Sequence, residues 1–270
     1  MATTSVQIVL RGEAGIMTGL SGWGKVLATQ VRIQSLPSLL NELVSRAKRR
    51  QPTRLYLSNV HMLMEANDNA DFAAVLARSE FVLADGKPVC WWQRLVNGEV
   101  CPQIRGIDLV LALCRRAAAE ELRVGIYGGH DAADVQRAVS RLKQVVPGLT
   151  IYYQHAPIWQ PLPASADPQQ LATMQAADLD ILLVALGCPK QEVWIDQYSS
   201  QLPPIQLGMG AVIDFLSGRR RQAPRWVQLL ALEWLFRWLQ EPRRLAPRYL
   251  RHNPRFLISL CRAWWQQRSR

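Results

Sequence analysis

A chain of 270 residues with 49% apolar and 20% charged side chains is long enough for one large core and too apolar for intrinsic disorder. Its net charge of +11 lies entirely in residues 219–270, which hold thirteen arginines, no lysine and two acids, Glu233 and Glu241, whereas residues 1–218 carry nineteen basic and nineteen acidic side chains. No apolar run approaches the roughly 18 residues of a membrane-spanning helix, no basic-then-apolar leader opens the chain, and five cysteines without a CxxC pair read as reduced thiols, excluding a disulfide framework or a zinc module.

Residues 1–25 are Gly- and Thr-rich without clear periodicity and are expected to be a loose extension. From there short β-branched runs alternate with amphipathic stretches. The runs predict strands over 54–58, 81–84, 123–127, 149–153, 180–186 and 205–207. The stretches between them predict helices over 36–49, 71–77, 107–119, 132–145, 168–177 and 190–200. Residues 155–168 contain four prolines and read as a loop. Such alternation predicts an α/β fold, a Rossmann-like, mostly parallel sheet with helices on both faces, over residues 26–218. Beyond Gly218 the strands stop, and residues 219–270 form a helical, Arg- and Trp-rich appendage. Pro242, Pro247 and Pro254 each remove a backbone donor, so broken helical pieces are expected there rather than one long helix.

Ligands of an open α/β sheet sit outside the carboxyl ends of its strands. Those ends are followed by Asn59, by Asp85-Gly86, by Gly128-Gly129, by residues 187–192 and by residues 208–214. Asp85 fits either a general base or an Asx-turn beside Gly86. Gly128-Gly129 would let a backbone approach a diphosphate at a helix N-terminus, but the GxGxxG fingerprint and the ribose-binding acid of dinucleotide folds are missing. Asp178-Leu179-Asp180 has a metal-binding DxD spacing, yet it falls at the amino end of its strand, away from the ligand edge. In Gly187-Cys188-Pro189-Lys190-Gln191-Glu192, the Gly and Pro make a sharp turn. Lys190 can neutralise phosphate, Gln191 can bond sugar hydroxyls, and Glu192 can cap the helix. Gly208 and Gly210 form a second small-residue turn, followed by Asp214, which is either a helix-capping acid or an acceptor for a nucleoside. His61, His130, His155 and His252 share no metal-ligand spacing.

Within the appendage Trp226, Leu230, Trp234 and Trp238 recur every four residues as an aromatic stripe. Arg237, Arg244, Arg248, Arg251 and Arg255 follow at helical spacings. Arginine binds phosphate bidentately where lysine acts as a point charge, so a segment with arginine alone points to phosphate or an anionic surface.

Several ordered blocks carry a resemblance. They are Asn59, Ala84-Asp85-Gly86-x-Pro88, Arg105-Gly106-x-Asp108-Leu109, Leu186-Gly187-x-Pro189-Lys190-Gln191-Glu192-x-Trp194, Gly208-x-Gly210-Ala211-x-x-Asp214-Phe215-Leu216-x-Gly218 and Ala223-Pro224-x-Trp226. Leu232-Glu233-Trp234-Leu235-x-Arg237 and Glu241-Pro242-x-Arg244-Leu245-x-x-Arg248-Tyr249 complete the set. In these the chain resembles the WecG/TagA/CpsF glycosyltransferases of bacterial surface-polysaccharide synthesis. The resemblance implies an inverting, metal-independent transfer from a UDP-sugar to a polyprenyl-diphosphate-linked sugar, with no cofactor because the UDP-sugar is a substrate. It implies Asp85 as general base, with Asn59, Arg105 and Gln191 in the sugar pocket; Lys190, able to neutralise phosphate, is expected to bind substrate beside them. The UDP is then expected at Gly128, Gly129, Gly187, Gly208, Gly210 and Asp214. Arg237, Arg244 and Arg248 would reach diphosphates from an appendage that meets the anionic inner face of the cell membrane, making the protein cytoplasmic and peripheral. Many members carry Thr two residues before the Asn, where this chain has Leu57. Residues 155–160 also lack the family's Gly-aromatic pattern, so the donor is open among N-acetylmannosamine, its uronic acid and glucose. A homo-oligomer is left open too. Two other classes compete: a nucleic-acid-binding module, disfavoured because the body has no basic surplus, and an NAD(P)-linked oxidoreductase, disfavoured by the missing fingerprint.

Overall fold

The computed structural model describes residues 21–157 and 167–269. Eight strands form one sheet: β1 (Ser21–Val26), β2 (Thr29–Gln34), β3 (Thr53–Ser58), β4 (Phe81–Ala84), β5 (Val124–Gly128), β6 (Ile151–His155), β7 (Ile181–Ala185) and β8 (Ile205–Gly208), in the order β1-β2-β4-β3-β8-β7-β5-β6. Every pairing is parallel except the β1–β2 hairpin. The α/β class and mostly parallel sheet read from the sequence are therefore what the chain adopts.

The first helices are α1 (Leu36–Lys48), α2 (Val60–Asp68), α3 (Ala70–Ala77), α4 (Lys87–Val96), α5 (Gly106–Ala119), α6 (Ala132–Val145), α7 (Pro168–Ala176), α8 (Lys190–Tyr198) and α9 (Val212–Leu216). Strands buried on both faces split their side chains by the period of two. Leu55, Leu57, Phe81 and Leu83 enter a cluster with α1, α5, α6 and α9. Tyr56, Val82 and Ala84 enter the opposite cluster with α2, α3, α4 and α8.

The hairpin corrects the loose extension expected over 1–25. Residues 1–20 lie outside the described residues, but 21–25 form β1. Gly22 and Gly24 had read as loop signals. A Cβ on Gly24 would strike the Gln93 side chain at 1.9 Å, and Gln93 Nε2 donates to the Gly24 carbonyl at 3.0 Å. This glycine marks a close approach to α4, not a turn. Helices α2 and α4 also escaped the sequence reading. Met62, Leu63, Met64 and Ala66 bury nearly all round α2, which erases its amphipathic period. Most of the Pro-rich stretch over 155–168 falls outside the described residues, and Pro168 opens α7.

Three helices follow: α10 (Arg225–Leu229), α11 (Glu233–Gln240) and α12 (Pro242–Arg268). The stripe from Trp226 to Trp238 does not share one helix. Ala231 takes a left-handed φ of 59°, and Leu232 N bonds back to Val227 O at 3.0 Å, closing α10 before Trp234 and Trp238 begin on α11.

The expectation of broken pieces beyond Pro242 is overturned, since α12 runs 27 residues with Pro247 and Pro254 inside it. Pro242 sits in the first turn, where a missing N–H is harmless. Pro247 and Pro254 are exposed, as are Arg243 and Leu250, whose carbonyls lose their partners, so water can serve them. On the opposite face Leu245, His252, Phe256 and Leu260 are buried, and Phe256 packs on Trp92 with ring centroids 5.5 Å apart. About 2 kcal/mol for each of the three buried apolar side chains offsets about 3 kcal/mol per internal proline. Tertiary packing wins over local propensity.

Candidate active site

The carboxyl ends of β3, β4, β5, β7 and β8 open into one cleft of about 780 Å³, whose far wall is built by α11 and α12. Asp85, Asn59, Arg105, Gln191, Asp214, Arg237, Arg244 and Arg248 all line it, with Gly129, Gly187, Gly208 and Gly210. Two expected residues do not. Lys190 is exposed on the first turn of α8 and lies off the cleft. Gly128 is buried against β7, where a Cβ would come within 2.5 Å of the Ala185 carbonyl. Its φ of 113° also favours glycine, so Gly128 shapes the turn that presents Gly129.

Asp85 prolongs β4 by one step, its N donating to Ser58 O at 2.9 Å. Its carboxylate does not fold back on its own turn. Oδ1 accepts from Gly106 N at 3.0 Å, the first amide of α5, so the Asx-turn alternative is not what the chain forms. Burial pushes this carboxyl above its ordinary value. Arg237, the Gly106 amide and Arg105 pull it down, and Glu233 pushes it up. Beside it Asn59 caps α2, with Oδ1 accepting from Met62 N at 3.2 Å, which leaves its amide N–H groups for the cleft.

Gln191 is buried and holds the β8 turn. Its Oε1 accepts from Gly210 N at 3.0 Å, and its Nε2 donates to Glu192 Oε1 at 2.7 Å. One N–H and one lone pair remain for a ligand. Glu192, expected to cap its helix, is fully buried in the first turn of α8, where its carboxylate accepts from its own backbone N–H, and burial raises its carboxyl to about 7. Asp214 pairs with Arg220 at 2.6 Å, and burial raises its carboxyl in spite of that arginine.

The two acids of the arginine-rich segment both act here. Glu241 holds Arg220 at 2.8 Å and Arg244 at 2.5 Å, and Glu233 approaches Arg105 at 3.5 Å. Arg105 also donates to Gln228 on α10, tying the body to the C-terminal helices. Arg237 lies over the Phe215 ring at 5.1 Å. Arg248 is half-buried, with Nε unpartnered, and burial lowers its proton affinity. Sequence reasoning gave no role to Arg220, Glu233 or Glu241, although the scarcity of acids in this segment marked the last two as worth explaining.

Asp178 and Asp180 sit at the amino end of β7, where Arg50 bridges both; Asp180 Oδ2 also accepts from Arg123 N at 2.8 Å. The cleft itself therefore combines a carboxylate on its floor with arginines on its wall, a pairing suited to moving a proton beside a bound anion.

The sequence model of the Glycosyl transferase WecG/TagA/CpsF family matches residues 25–270. The chain belongs to that family. It is a glycosyltransferase. It is similar to the N-acetylglucosaminyldiphosphoundecaprenol N-acetyl-beta-D-mannosaminyltransferase of Bacillus spizizenii, with 30% identity over 190 residues, 69% of this chain and 71% of the relative. The Bacillus subtilis strain 168 protein of the same name is 30% identical over 191 residues, 68% of this chain and 70% of that one. Among the described residues of this WecG/TagA/CpsF member, no helix is long and apolar enough to cross a membrane.

Proposed function

We propose that the protein transfers an N-acetylmannosamine-type sugar from a UDP-sugar to a polyprenyl-diphosphate-linked N-acetylglucosamine, with inversion and without a catalytic metal. The relatives' names carry the sugar and acceptor class. The observation that carries the chemistry is the Asp85 carboxylate facing Arg237 across the cleft. In this reading Asp85 takes the proton from the acceptor hydroxyl as its oxygen attacks the anomeric carbon. The bond to UDP breaks on the opposite side, so a single displacement inverts the centre. Arg237, Arg244 and Arg248 stabilise diphosphate charge, and cationic side chains serve the leaving group in place of a metal ion.

Trp226, Leu229, Leu230, Leu239, Leu250 and Trp265 are all exposed in the C-terminal segment, as are Arg225, Arg243 and Arg262. Side chains of these kinds suit an anionic leaflet, which supports a peripheral position on the cytoplasmic side of the membrane that holds the acceptor. Arg255 is committed elsewhere, in a two-bond pair with Asp68 at 2.7 Å, and serves docking of α12.

A panel of UDP-sugars with a short-chain lipid-diphosphate-N-acetylglucosamine acceptor tests this reading. Acceptor-dependent UDP release is expected with UDP-N-acetylmannosamine, at the same rate whether or not magnesium or manganese is supplied. The product's anomeric coupling should report inversion. Release that ignores the acceptor, or that requires added magnesium, would overturn the corresponding part.

A further inference from the structure

Two histidines distant in sequence meet at the junction of α2 and α12. His61 and Glu65 lie one turn apart on α2, and His252 comes from α12. One ligand atom from each lies within 4.8 Å of the other two. His61 Nδ1 is 3.7 Å from Glu65 Oε1, and His252 Nε2 is 3.4 Å from the same oxygen. A tetrahedral ion with bonds of about 2.0–2.1 Å separates its ligand atoms by about 3.3 Å. Both contacts are therefore near the spacing a metal imposes, and both are long for hydrogen bonds.

His61 Nδ1 is buried without a hydrogen-bond partner. The ring's bond to the Cys188 backbone therefore falls to Nε2, leaving a lone pair on Nδ1 toward Glu65. A backbone carbonyl fixing the far nitrogen is how protein metal sites orient a histidine ligand.

We propose that His61, Glu65 and His252 bind one divalent transition ion of the zinc type, clipping α12 to the body beside the cleft. Two imidazoles and one carboxylate suit zinc, cobalt or nickel; magnesium and calcium prefer all-oxygen shells. Arg248 and Arg251 act on the same rings and oppose any cation. That repulsion further favours an ion whose bonds to imidazole are strong. The fourth position is left to water. The clip is structural: His61 lines the cleft, but no step proposed above passes through the ion.

The test uses untagged full-length protein, stripped with a chelator, dialysed, and titrated with zinc by calorimetry. One equivalent should bind below micromolar, and zinc should raise the melting temperature. Glu65→Gln and His252→Gln should each weaken binding by roughly tenfold or more. Glu65 is the more exposed of the two, so its variant keeps the test open if His252→Gln misfolds. His130→Gln, at an exposed residue that meets exposed Asp131 and buried Asp134, should bind zinc like the parent. The cobalt form should show tetrahedral d–d absorption without a thiolate charge-transfer band. Absence of binding, unchanged affinity in Glu65→Gln, or a thiolate band would each overturn the site.

Discussion

The sheet body and the C-terminal helices use charge in opposite ways. In the body, basic and acidic side chains are equal in number, and many are paired at the amino ends of the strands. Arg50 binds Asp178 and Asp180, and Arg54 binds Glu80 and Asp196. These pairs hold neighbouring elements together and leave little charge for a ligand. In the C-terminal segment thirteen arginines meet two acids. Glu233 and Glu241 fix the positions of Arg105, Arg220 and Arg244 at the cleft; Arg219, Arg251 and Arg255 pair with Asp134 and Asp68 of the body, and the segment has no further acid of its own for the rest. In the proposed reaction the body supplies the reactive carboxylate, and the helices supply the field that an anionic substrate needs.

That division breaks most visibly at Asp85. Asp85→Asn keeps the bond from Gly106 N but removes the base, so kcat should fall by about 10²–10⁴-fold with an unchanged circular dichroism spectrum. Near-parental transfer would mean that the floor of the cleft does not act as base. The next largest effect concerns whether α12 belongs to the fold. Phe256 is 1% exposed in the cluster that also holds Trp92, so Phe256→Ala should cost about 3–5 kcal/mol, read as a lower urea midpoint. If the midpoint is unchanged while the segment becomes sensitive to protease, the body folds alone and α12 docks as a separate unit.

Much of this arrangement was legible in the chain, for reasons that differ by residue. Strands β3, β4, β5, β7 and β8 showed because strands buried on both faces need continuous apolar runs, the partly exposed edge strand β6 showed by its Ile and Tyr residues, and the small and polar residues of the cleft follow those runs. The β1–β2 hairpin hid behind Gly22 and Gly24, whose meaning depends on the approach of Gln93 from another helix. The continuity of α12 hid behind its prolines, because the compensating contacts of Phe256 and Leu260 lie in a distant cluster. The pairing of His61 and Glu65 with His252 has no local signal at all. It exists only once α12 lies across α2.

The field itself can be sharpened at Arg237, the strongest charge acting on the Asp85 carboxyl. A charged hydrogen-bond partner is worth about 1.5–3 kcal/mol, so Arg237→Ala should lower kcat/KM by roughly tenfold to a hundredfold. Burial already places the Asp85 carboxyl above its ordinary value, and Arg237 opposes that rise. The base works only when deprotonated, so activity falls as pH drops through this raised value. Without Arg237 the acid limb of kcat/KM should move to still higher pH. An unmoved limb would separate the arginine's role in binding from its action on the base.

The smallest effect is the most discriminating for the edge of the site. Lys190 is expected to bind substrate as a phosphate-neutralising cation, whereas its side chain is exposed on the first turn of α8 and the cleft is lined by its neighbour Gln191. An exposed residue away from a site usually changes stability by no more than about 0.5 kcal/mol, so Lys190→Ala should leave the donor KM within about twofold. Gln191→Ala, by contrast, removes the bond to Gly210 N and should raise that KM through the β8 turn. If Lys190→Ala proves the more damaging of the two, the first turn of α8 must rotate toward the cleft when donor binds. The cationic field would then include Lys190 of the body as well as Arg105.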